Sequence, residues 1–244
     1  MIYNQFESHQ SLSHYIDAYW VATGDSAGLK REKILPDGCI DIILNLGEDC
    51  PTTDNDLFFE SGKAYLVGTM TRFKESFMQT GTKLLGIRFK PAAFNVFYDY
   101  PSLYKLADQT VAFEEKFSPD IESTAKYFTA YLDHFFLKNL STPKRSIFPI
   151  VNDIQNLNGR LSVGALAQKH FTTVRRLQRS FDSQMGISPK EYINLVRYQY
   201  TLQKIRNNTD NKSFLEIAFE CGYYDHSHLT NEIKRYTGVA PALL

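Results

Sequence analysis

The feature that most constrains the fold of this chain is a repeat within its last third. Residues 161–244 carry one pattern twice: Leu166 corresponds to Ile217 at an offset of 51 residues, and Thr173 corresponds to Asp225 at an offset of 52. Further pairs at the second offset are Leu177 and Leu229, Phe181 and Ile233, Gly186 and Gly238, and Pro189 and Pro241. A repeat with one residue inserted in its turn indicates two copies of a small helical unit. Two short helices joined by a tight turn form a helix-turn-helix.

The first unit, at about residues 161–185, has capping residues that predict its two helices. Ser162 is a candidate N-cap for the first helix, a turn falls near Phe171, and Thr172 or Thr173 caps the second helix. Inward positions are predicted at Val163, Leu166, Ala167, Val174, Leu177 and Phe181. The opposite face of the second helix presents Arg175, Arg176, Gln178 and Arg179. Arginine can donate two hydrogen bonds to guanine and glutamine can pair with adenine, so this face suits the DNA major groove. The alternative is a solvated basic face.

The second unit, at about residues 213–238, has the clearer start and stop signals. Ser213 and Glu216 fit a capping box, Gly222 supplies a tight turn, and Gly238 ends the last helix. Its inward positions are Leu229, Ile233 and Tyr236, and its outer face carries His226, Ser227, Thr230 and Asn231. Between the units, residues 190–206 predict a helix of roughly 25 Å that would act as a spacer.

The net charge of zero conceals a difference between the two halves of the chain. Residues 1–143 hold 13 Lys and Arg against 19 Asp and Glu, a balance of −6, and residues 144–244 hold 14 against 8, a balance of +6. Opposite signs in the two halves favour contact between the second half and a polyanion, although chance unevenness would give the same numbers.

The first half reads as several short strands followed by a helix. Residues 40–45 alternate in the period of a strand, and 65–69, 73–79 and 84–89 are further strand candidates separated by glycines. Strands at this spacing favour a β-sandwich or barrel. The turn-rich residues 49–56 predict an exposed loop, and the Pro-bearing segment 140–145 predicts a domain junction.

Three helical segments are also predicted in the first half. Residues 11–19 fit a short helix, and Pro91 stands where a second helix would start. Residues 123–137 place aromatic side chains at spacings of three and four, which predicts a helix with a wide aromatic face. That face would either pack inside its own domain or pair with a second subunit.

Four charged residues of the first half are candidates for binding a small molecule. Asp37 and Asp41 lie four apart on a turn and a strand, and Arg88 and Lys90 share one face of their segment. The two basic residues suit an anionic ligand. The alternative is that Asp37 is a turn residue, that Asp41 points outward, and that all four are solvated.

Enzyme, metal and membrane classes receive little support. There is no histidine between His14 and His134, and GxSxG, HExxH and glycine-rich phosphate loops are absent. His226 and His228 lie two apart on a helix, where their side chains diverge, and the three cysteines lack CxxC spacing. We therefore expect no catalytic residues, no metal and no cofactor. Without an apolar run of about 18 residues or a signal peptide, a cytoplasmic protein is expected.

The repeat resembles the DNA-binding domain of the AraC/XylS family of transcription regulators. The elements that carry the resemblance are LQRSF, MGISPKEYINLVR, IAFECGYYDHSHL and IKRYTGVAP, over about the last 95 residues. ILPDGCIDIILNLG and GIRFKPAAF resemble the cupin-related sensor domains of some members. This resemblance implies base contacts by Arg175, Gln178 and Arg179, and an equivalent surface at His226, Ser227, Thr230 and Asn231. Thr173 and Arg176 complete the candidate set. Phe171 replaces the glycine usual in the family's first turn.

The expected protein is therefore an α+β chain of two domains. A β-rich, cupin-like sensor or dimerisation domain with C-terminal helices occupies residues 1–140, and an all-α DNA-binding domain occupies residues 147–244. The resemblance implies double-stranded DNA and RNA polymerase as partners, a small-molecule effector and a homodimer. The alternatives are a DNA binder whose first half only dimerises, an enzyme using the β-domain cavity, and a protein-interaction module that has lost DNA binding.

Overall fold

The computed structural model describes residues 1–24, 30–52, 58–100, 102–114, 116, 118–141, 146–209 and 211–244. Most of the predicted junction at 140–145, and part of the loop predicted at 49–56, lie outside these residues. The described part of that loop includes a two-residue strand at Cys50–Pro51. The domain limits of 1–140 and 147–244 stay a prediction.

The N-terminal half is built on antiparallel β-structure. Its strands are β1 (Ile2–Phe6), β2 (Ile16–Thr23), β3 (Lys30–Ile34), β4 (Ile40–Asn45), β5 (Cys50–Pro51), β6 (Phe58–Phe59), β7 (Ala64–Val67), β8 (Lys74–Met78), β9 (Lys83–Phe89) and β10 (Thr110–Ala112). Within the described ranges, β1, β2, β9, β4, β7 and β10 form one six-stranded sheet in that order, while β3 pairs with β8 and β5 with β6. The predicted strands and the β-rich fold class are confirmed.

Both faces of the large sheet are covered. On one face Ile42 packs in a core with Phe136 of helix α1 (Ile121–Asn139). On the other face Trp20 packs in a second core with Met78, which belongs to the two-stranded ribbon of β3 and β8. Because each face has a cover, residues of both alternations are buried along β4, and the simple inward–outward pattern read from its sequence is incomplete.

The helix predicted at residues 11–19 is wrong. A single 3-10 turn occupies Gln10–Leu12, and the chain enters strand β2 at Ile16. Pairing in the sheet decides this segment, because β9 pairs with β2 from Ile16 onward and β1 adds a second partner from Tyr19 onward.

The helix predicted to start at Pro91 is reduced to a turn. Ala92 has a φ of 68°, in the left-handed region, and only Phe94–Val96 form a 3-10 helix after it. The predicted aromatic helix at 123–137 is confirmed as α1, which bends at Phe128, where φ is 36°. Its buried aromatic side is represented by Phe136, which packs edge-to-face on Phe89 at 5.5 Å between ring centroids.

The C-terminal half is all helical within its described residues. Its helices are α2 (Phe148–Asn156), α3 (Val163–Lys169), α4 (Val174–Gln184), α5 (Pro189–Arg206), α6 (Phe214–Glu220) and α7 (His226–Thr237). One hydrophobic core runs through all six and includes Leu166, Phe181, Tyr198, Ile217 and Tyr236. The predicted pair of helical units, α3–α4 and α6–α7, and the long helix α5 between them are confirmed.

Local capping explains why these helices begin where they do. The Ser162 hydroxyl accepts a hydrogen bond from Ala165 N, and Ser213 and Glu216 form the predicted capping box. Of the two candidate caps for α4, Thr173 fills the role, since its Oγ1 accepts from Arg176 N at 3.2 Å. The α4 prediction fails at one position.

Val174, predicted to face inward, is 51% exposed. It is the first residue of α4, so its side chain precedes the turn in which Leu177 and Phe181 reach the core.

The two halves are joined by hydrogen bonds at the ends of both second helices. Thr69 Oγ1 donates to the carbonyl oxygen of Met185, just after α4, at 2.7 Å. Lys33 Nζ donates to the carbonyl oxygen of Thr237, the last residue of α7, at 2.8 Å. The β-rich half therefore holds the C-terminal ends of α4 and α7 and leaves the N-terminal ends to solvent.

Candidate DNA-binding surface and ligand cavity

The outer face of α4 is basic and open. Arg175, Arg176 and Arg179 are exposed, and no hydrogen bond or ion pair joins their side chains to another described residue. The Thr173 hydroxyl, by contrast, is occupied by its capping bond. Three cationic side chains on the second helix of a helix-turn-helix are placed to meet phosphates or guanine edges in a major groove.

Gln178 differs from its arginine neighbours because its amide is already engaged. It is half-buried, and its Nε2 donates to Asp182 Oδ1 one turn later at 2.8 Å. That bond fixes the amide nitrogen along the helix, while the carbonyl oxygen has no hydrogen-bond partner among the described residues. To read adenine with both amide groups, Gln178 would first have to break its bond to Asp182.

The outer face of α7 carries polar but uncharged or weakly basic groups. His226, Ser227 and Asn231 are exposed, and Thr230 is half-buried. Asp225 caps the helix by accepting from His228 N at 2.7 Å. Within each repeat, the candidate residues lie on the outer side of a single helix. The candidate set on α4 contains three arginines, so it carries more positive charge than the set on α7.

A buried ion pair fixes α7 against the spacer helix α5. Arg197 Nη2 lies 3.0 Å from Glu232 Oε2, with the two side chains 15% and 7% exposed. The guanidinium also stacks over the ring of Tyr223, 4.7 Å from its centroid. Burial raises the pKa of Glu232, and the Arg197 guanidinium lowers it again in part. Neither residue was singled out from the sequence, since a charged residue's partner cannot be read from a single chain position.

The turns of the two repeats have the same left-handed backbone but different residues. Gly222 has a φ of 80°, whereas Phe171 has a φ of 49° and is 98% exposed. Left-handed backbone costs a non-glycine residue roughly 1–2 kcal/mol, and the exposed ring gains no packing in return. The first repeat therefore carries a turn strain that the second avoids.

Three of the four ligand candidates in the first half lie together at one cavity. The cavity has a volume of about 370 Å³ and lies between the large sheet and the β3–β8 ribbon. Asp37, Asp41 and Arg88 line it, with Arg88 Nε 3.2 Å from Asp41 Oδ1 and 3.5 Å from Asp37 Oδ2. Lys90 does not line it, so this cavity does not bring Arg88 and Lys90 together.

The alternating pattern of its strand was consistent with an outward-pointing, solvated Asp41, but the residue is largely buried. Its side chain is 13% exposed and accepts hydrogen bonds from Trp20 Nε1 at 2.8 Å and from Arg88. Burial raises its pKa to about 6, although the Arg88 guanidinium opposes that shift. For Arg88, burial lowers the pKa, but the carboxylates of Asp41 and Asp37 outweigh it and leave the value raised.

Sequence reasoning missed two residues of the cavity. Trp20 donates to Asp41 and lies flat on the sheet over Gly86, where an added Cβ would fall 1.9 Å from the indole. Lys33 lines the cavity wall and reaches α7 from it. Neither residue had a local signal, because Trp20 lies 21 residues from Asp41 and Lys33 lies 204 residues from Thr237.

Neither a metal-binding cluster nor a membrane-spanning helix is present in the part of the chain that the structure describes. No group of three or more His, Cys, Asp and Glu side chains there could hold a metal ion. In the same residues no helix is both long and apolar enough to cross a membrane.

Two family models match the chain, one within the β-rich half and one within the helical half. Residues 4–112 match a model described as a domain of unknown function. Residues 166–243 match a model described as a helix-turn-helix domain.

Curated relatives match only the C-terminal part. The HTH-type transcriptional activator RhaS of Escherichia fergusonii is 30% identical over 77 residues, covering 32% of this chain and 27% of that protein. RhaS of Pectobacterium carotovorum subsp. carotovorum is 26% identical over 89 residues, covering 36% and 31%. The chain thus aligns with under a third of the length of these relatives.

Two solved structures align with the chain at low identity. ToxT from Vibrio cholerae aligns with a TM-score of 0.49 at 12% identity, covering 88% of this chain and 97% of that one. An AraC-type regulator from Chromobacterium violaceum aligns with a TM-score of 0.35 at 21% identity, covering 39% and 88%. The helix-turn-helix match and the similarity to RhaS support the resemblance of the C-terminal part to the AraC/XylS family of regulators.

Proposed function

We propose that this protein is a sequence-specific DNA-binding transcription regulator in which α4 and α7 enter successive major-groove segments. The observation that carries the proposal is the open cationic face of Arg175, Arg176 and Arg179 on the second helix of a family-matched helix-turn-helix. Successive major-groove segments on one side of B-DNA lie about 34 Å apart, and the spacer helix α5 joins the two units.

Roles differ among the candidate residues. Arg175 and Arg179 read bases or phosphates directly, and Gln178 reads adenine after releasing Asp182. Thr173 acts through its cap and Arg176 through phosphate contact. On α7 the reading set is His226, Ser227, Thr230 and Asn231. Because the α7 set lacks a strong cation, α4 carries more of the affinity.

The N-terminal half is the regulatory part of the proposal. Its cavity, of a size suited to a small molecule, binds an effector, with Asp37, Asp41 and Arg88 at the polar end. Lys33 supports coupling between effector and DNA, since it lines the cavity and bonds to the end of α7. An effector that binds more tightly when the cavity wall around Lys33 is in one position would favour that position. Because Lys33 contacts the end of α7, this would change how α7 meets DNA.

The partners beyond DNA rest on the family. RNA polymerase is recruited or blocked by the bound regulator, and a homodimer forms through the N-terminal half. The protein is not an enzyme, in keeping with a family of transcription regulators, and it acts in the cytoplasm, where promoter DNA lies.

The test is a footprint of the full chain on its own upstream region, followed by binding titrations on the protected site. Arg179→Ala should cost about 1–3 kcal/mol on the cognate site if Arg179 reads a base, and should relax specificity at that position. Lys126→Ala removes an exposed cation from α1 and serves as the charge-matched control. Equal loss on every sequence would assign Arg179 to a phosphate, and an absence of any protected site would reject the proposed function.

A further inference from the structure

The walls of the N-terminal cavity are mainly apolar and aromatic. Its aromatic side chains are Tyr3, Trp20, Phe59 and Phe77. Tyr3 and Trp20 lie next to each other, with ring centroids 5.9 Å apart and ring planes at 34°. Gly86 lets the indole lie against the sheet, so the ring is held in place by the backbone beneath it. Such walls bind the apolar body of a ligand.

The polar end of the cavity has more negative than positive charge. Asp37 and Asp41 share the guanidinium of Arg88, which is the single cation within 4.0 Å of either carboxylate among the described residues. Asp41 is the better satisfied of the two, because it also accepts from Trp20 Nε1 at 2.8 Å.

Asp37 is the carboxylate left to a ligand. Its side chain is 32% exposed, its Oδ1 accepts from Cys39 N, and its Oδ2 lies 3.5 Å from Arg88 Nε, beyond a good hydrogen bond. One acceptor oxygen on the cavity wall is therefore only loosely paired.

This charge balance discriminates between ligand classes. A ligand carboxylate that approached Arg88 would also meet Asp37 and Asp41, and the repulsion between like charges at such short range opposes its binding. An ammonium group beside Asp37 would instead give two cations for two carboxylates. Aromatic faces add a further attraction for a cation within about 6 Å of the ring.

The wider lining is close to neutral, so the carboxylate pair at Arg88 sets the preferred sign of the ligand. Its charged side chains among the described residues are Glu32, Lys33, Asp37, Asp41, Lys74, Glu75 and Arg88. The lining also includes Met1 with its ammonium group, and Glu75 is paired with Arg31. Lys33 already donates to Thr237 on α7 and lies over the ring of Phe73, so its ammonium is committed outside the cavity.

We propose that the cavity binds a small apolar amine in its ammonium form, with the cation at Asp37 and the apolar body among Trp20, Tyr3 and Phe59. This assignment rests on the proposed effector role of the N-terminal half and names the chemical class of the effector. The sequence suggested an anionic ligand at Arg88 and Lys90, whereas the ligand proposed from the cavity is a cation.

The experiment compares three probes that share one apolar body and differ in charge. Full-length protein is titrated by calorimetry with 4-phenylbutylamine, 4-phenylbutan-1-ol and 4-phenylbutyrate. The amine should bind at least tenfold more tightly than the butyrate. Asp37→Asn, which keeps an oxygen to accept from Cys39 N, should weaken the amine about tenfold and leave the alcohol unchanged. Asp99→Asn, at an exposed carboxylate away from the cavity lining, is the matched control.

Each other outcome overturns the assignment. Equal or tighter binding of the butyrate reverses the charge, binding of none of the probes removes the class, and amine binding that is the same in Asp37→Asn places the cation elsewhere. A melting curve confirms that Asp37→Asn is folded. A footprint with the same protein reports DNA binding separately, so loss of the ligand class is distinguishable from failure of the proposed function.

Discussion

Lys33 in the β-rich half donates a hydrogen bond from Nζ to the carbonyl oxygen of Thr237, which ends α7, over 2.8 Å. The last carbonyls of a helix lack partners within the helix and carry partial negative charge, so a lysine there satisfies both needs. Beside it, Phe73 packs so closely on Gly238 that an added Cβ would lie 2.6 Å from the ring. The end of α7 is thus part of the contact between the β-rich half and the helical half.

We expect Lys33→Met to loosen the end of α7 without unfolding the chain. The bond is partly exposed, so its loss should cost about 1 kcal/mol or less. Amide hydrogens in the last turn of α7 should exchange roughly fivefold faster or less by mass spectrometry. Lys126→Met on α1 is the control. Unchanged exchange in that turn would show that Lys33 does not hold the helix.

Substitutions at the two left-handed turns should have different effects on the free energy of unfolding. Gly222→Ala should lower the free energy of unfolding by about 1–2 kcal/mol, because the new Cβ has room, 3.5 Å from Arg160, and the cost is in the backbone. Phe171→Gly should leave it unchanged or raise it by up to about 1 kcal/mol, since relief of strain is offset by the freer unfolded chain. Denaturant titration measures both, and a marked loss in Phe171→Gly would mean that the exposed ring has a packing role.

Glu232→Ala should be among the most damaging changes in the C-terminal half. It leaves the Arg197 guanidinium buried without its partner, which costs roughly 3–5 kcal/mol. Glu220→Ala breaks an ion pair with Lys212 whose side chains are 41% and 36% exposed, and it should cost less than about 1 kcal/mol. Similar melting temperatures for the two variants would show that the ion pair between Arg197 and Glu232 does not hold α7 in place.

Asp41 predicts a pH dependence of stability with a definite sign. Its pKa is raised by burial from 3.8 to about 6 in the folded protein. Between about pH 4 and pH 6 the folded state therefore holds a proton that the unfolded chain has released, so the free energy of unfolding falls as pH rises. Arg88, Asp37 and Trp20 face the same carboxylate and contribute to the shift.

Asp41→Asn isolates this contribution. The difference in free energy of unfolding between wild type and Asp41→Asn should change across pH 4–6 and level off on either side. Denaturant titrations at several pH values measure it. A difference that stays constant over that range would show that Asp41 titrates normally in the folded protein.

Local signals in the sequence determined much of the C-terminal half. Ser162, Ser213 and Glu216 cap their own helices through bonds spanning three residues, so spacing alone was enough to place them. The inward positions Leu177 and Leu229 follow the helical period, which needs no knowledge of a partner. The family resemblance rests on the same local pattern.

Tertiary structure decided what depends on residues far apart in the chain. Residues 16–19 became a strand because β9 pairs with this segment and β1 joins it at Tyr19, and Asp41 became buried because the β3–β8 ribbon covers its face. The meeting of Asp37, Asp41 and Arg88, and the reach of Lys33 to Thr237, likewise join positions separated by up to 204 residues. Hydrogen bonding and burial at such distances depend on the packed fold, and no window of sequence contains both partners.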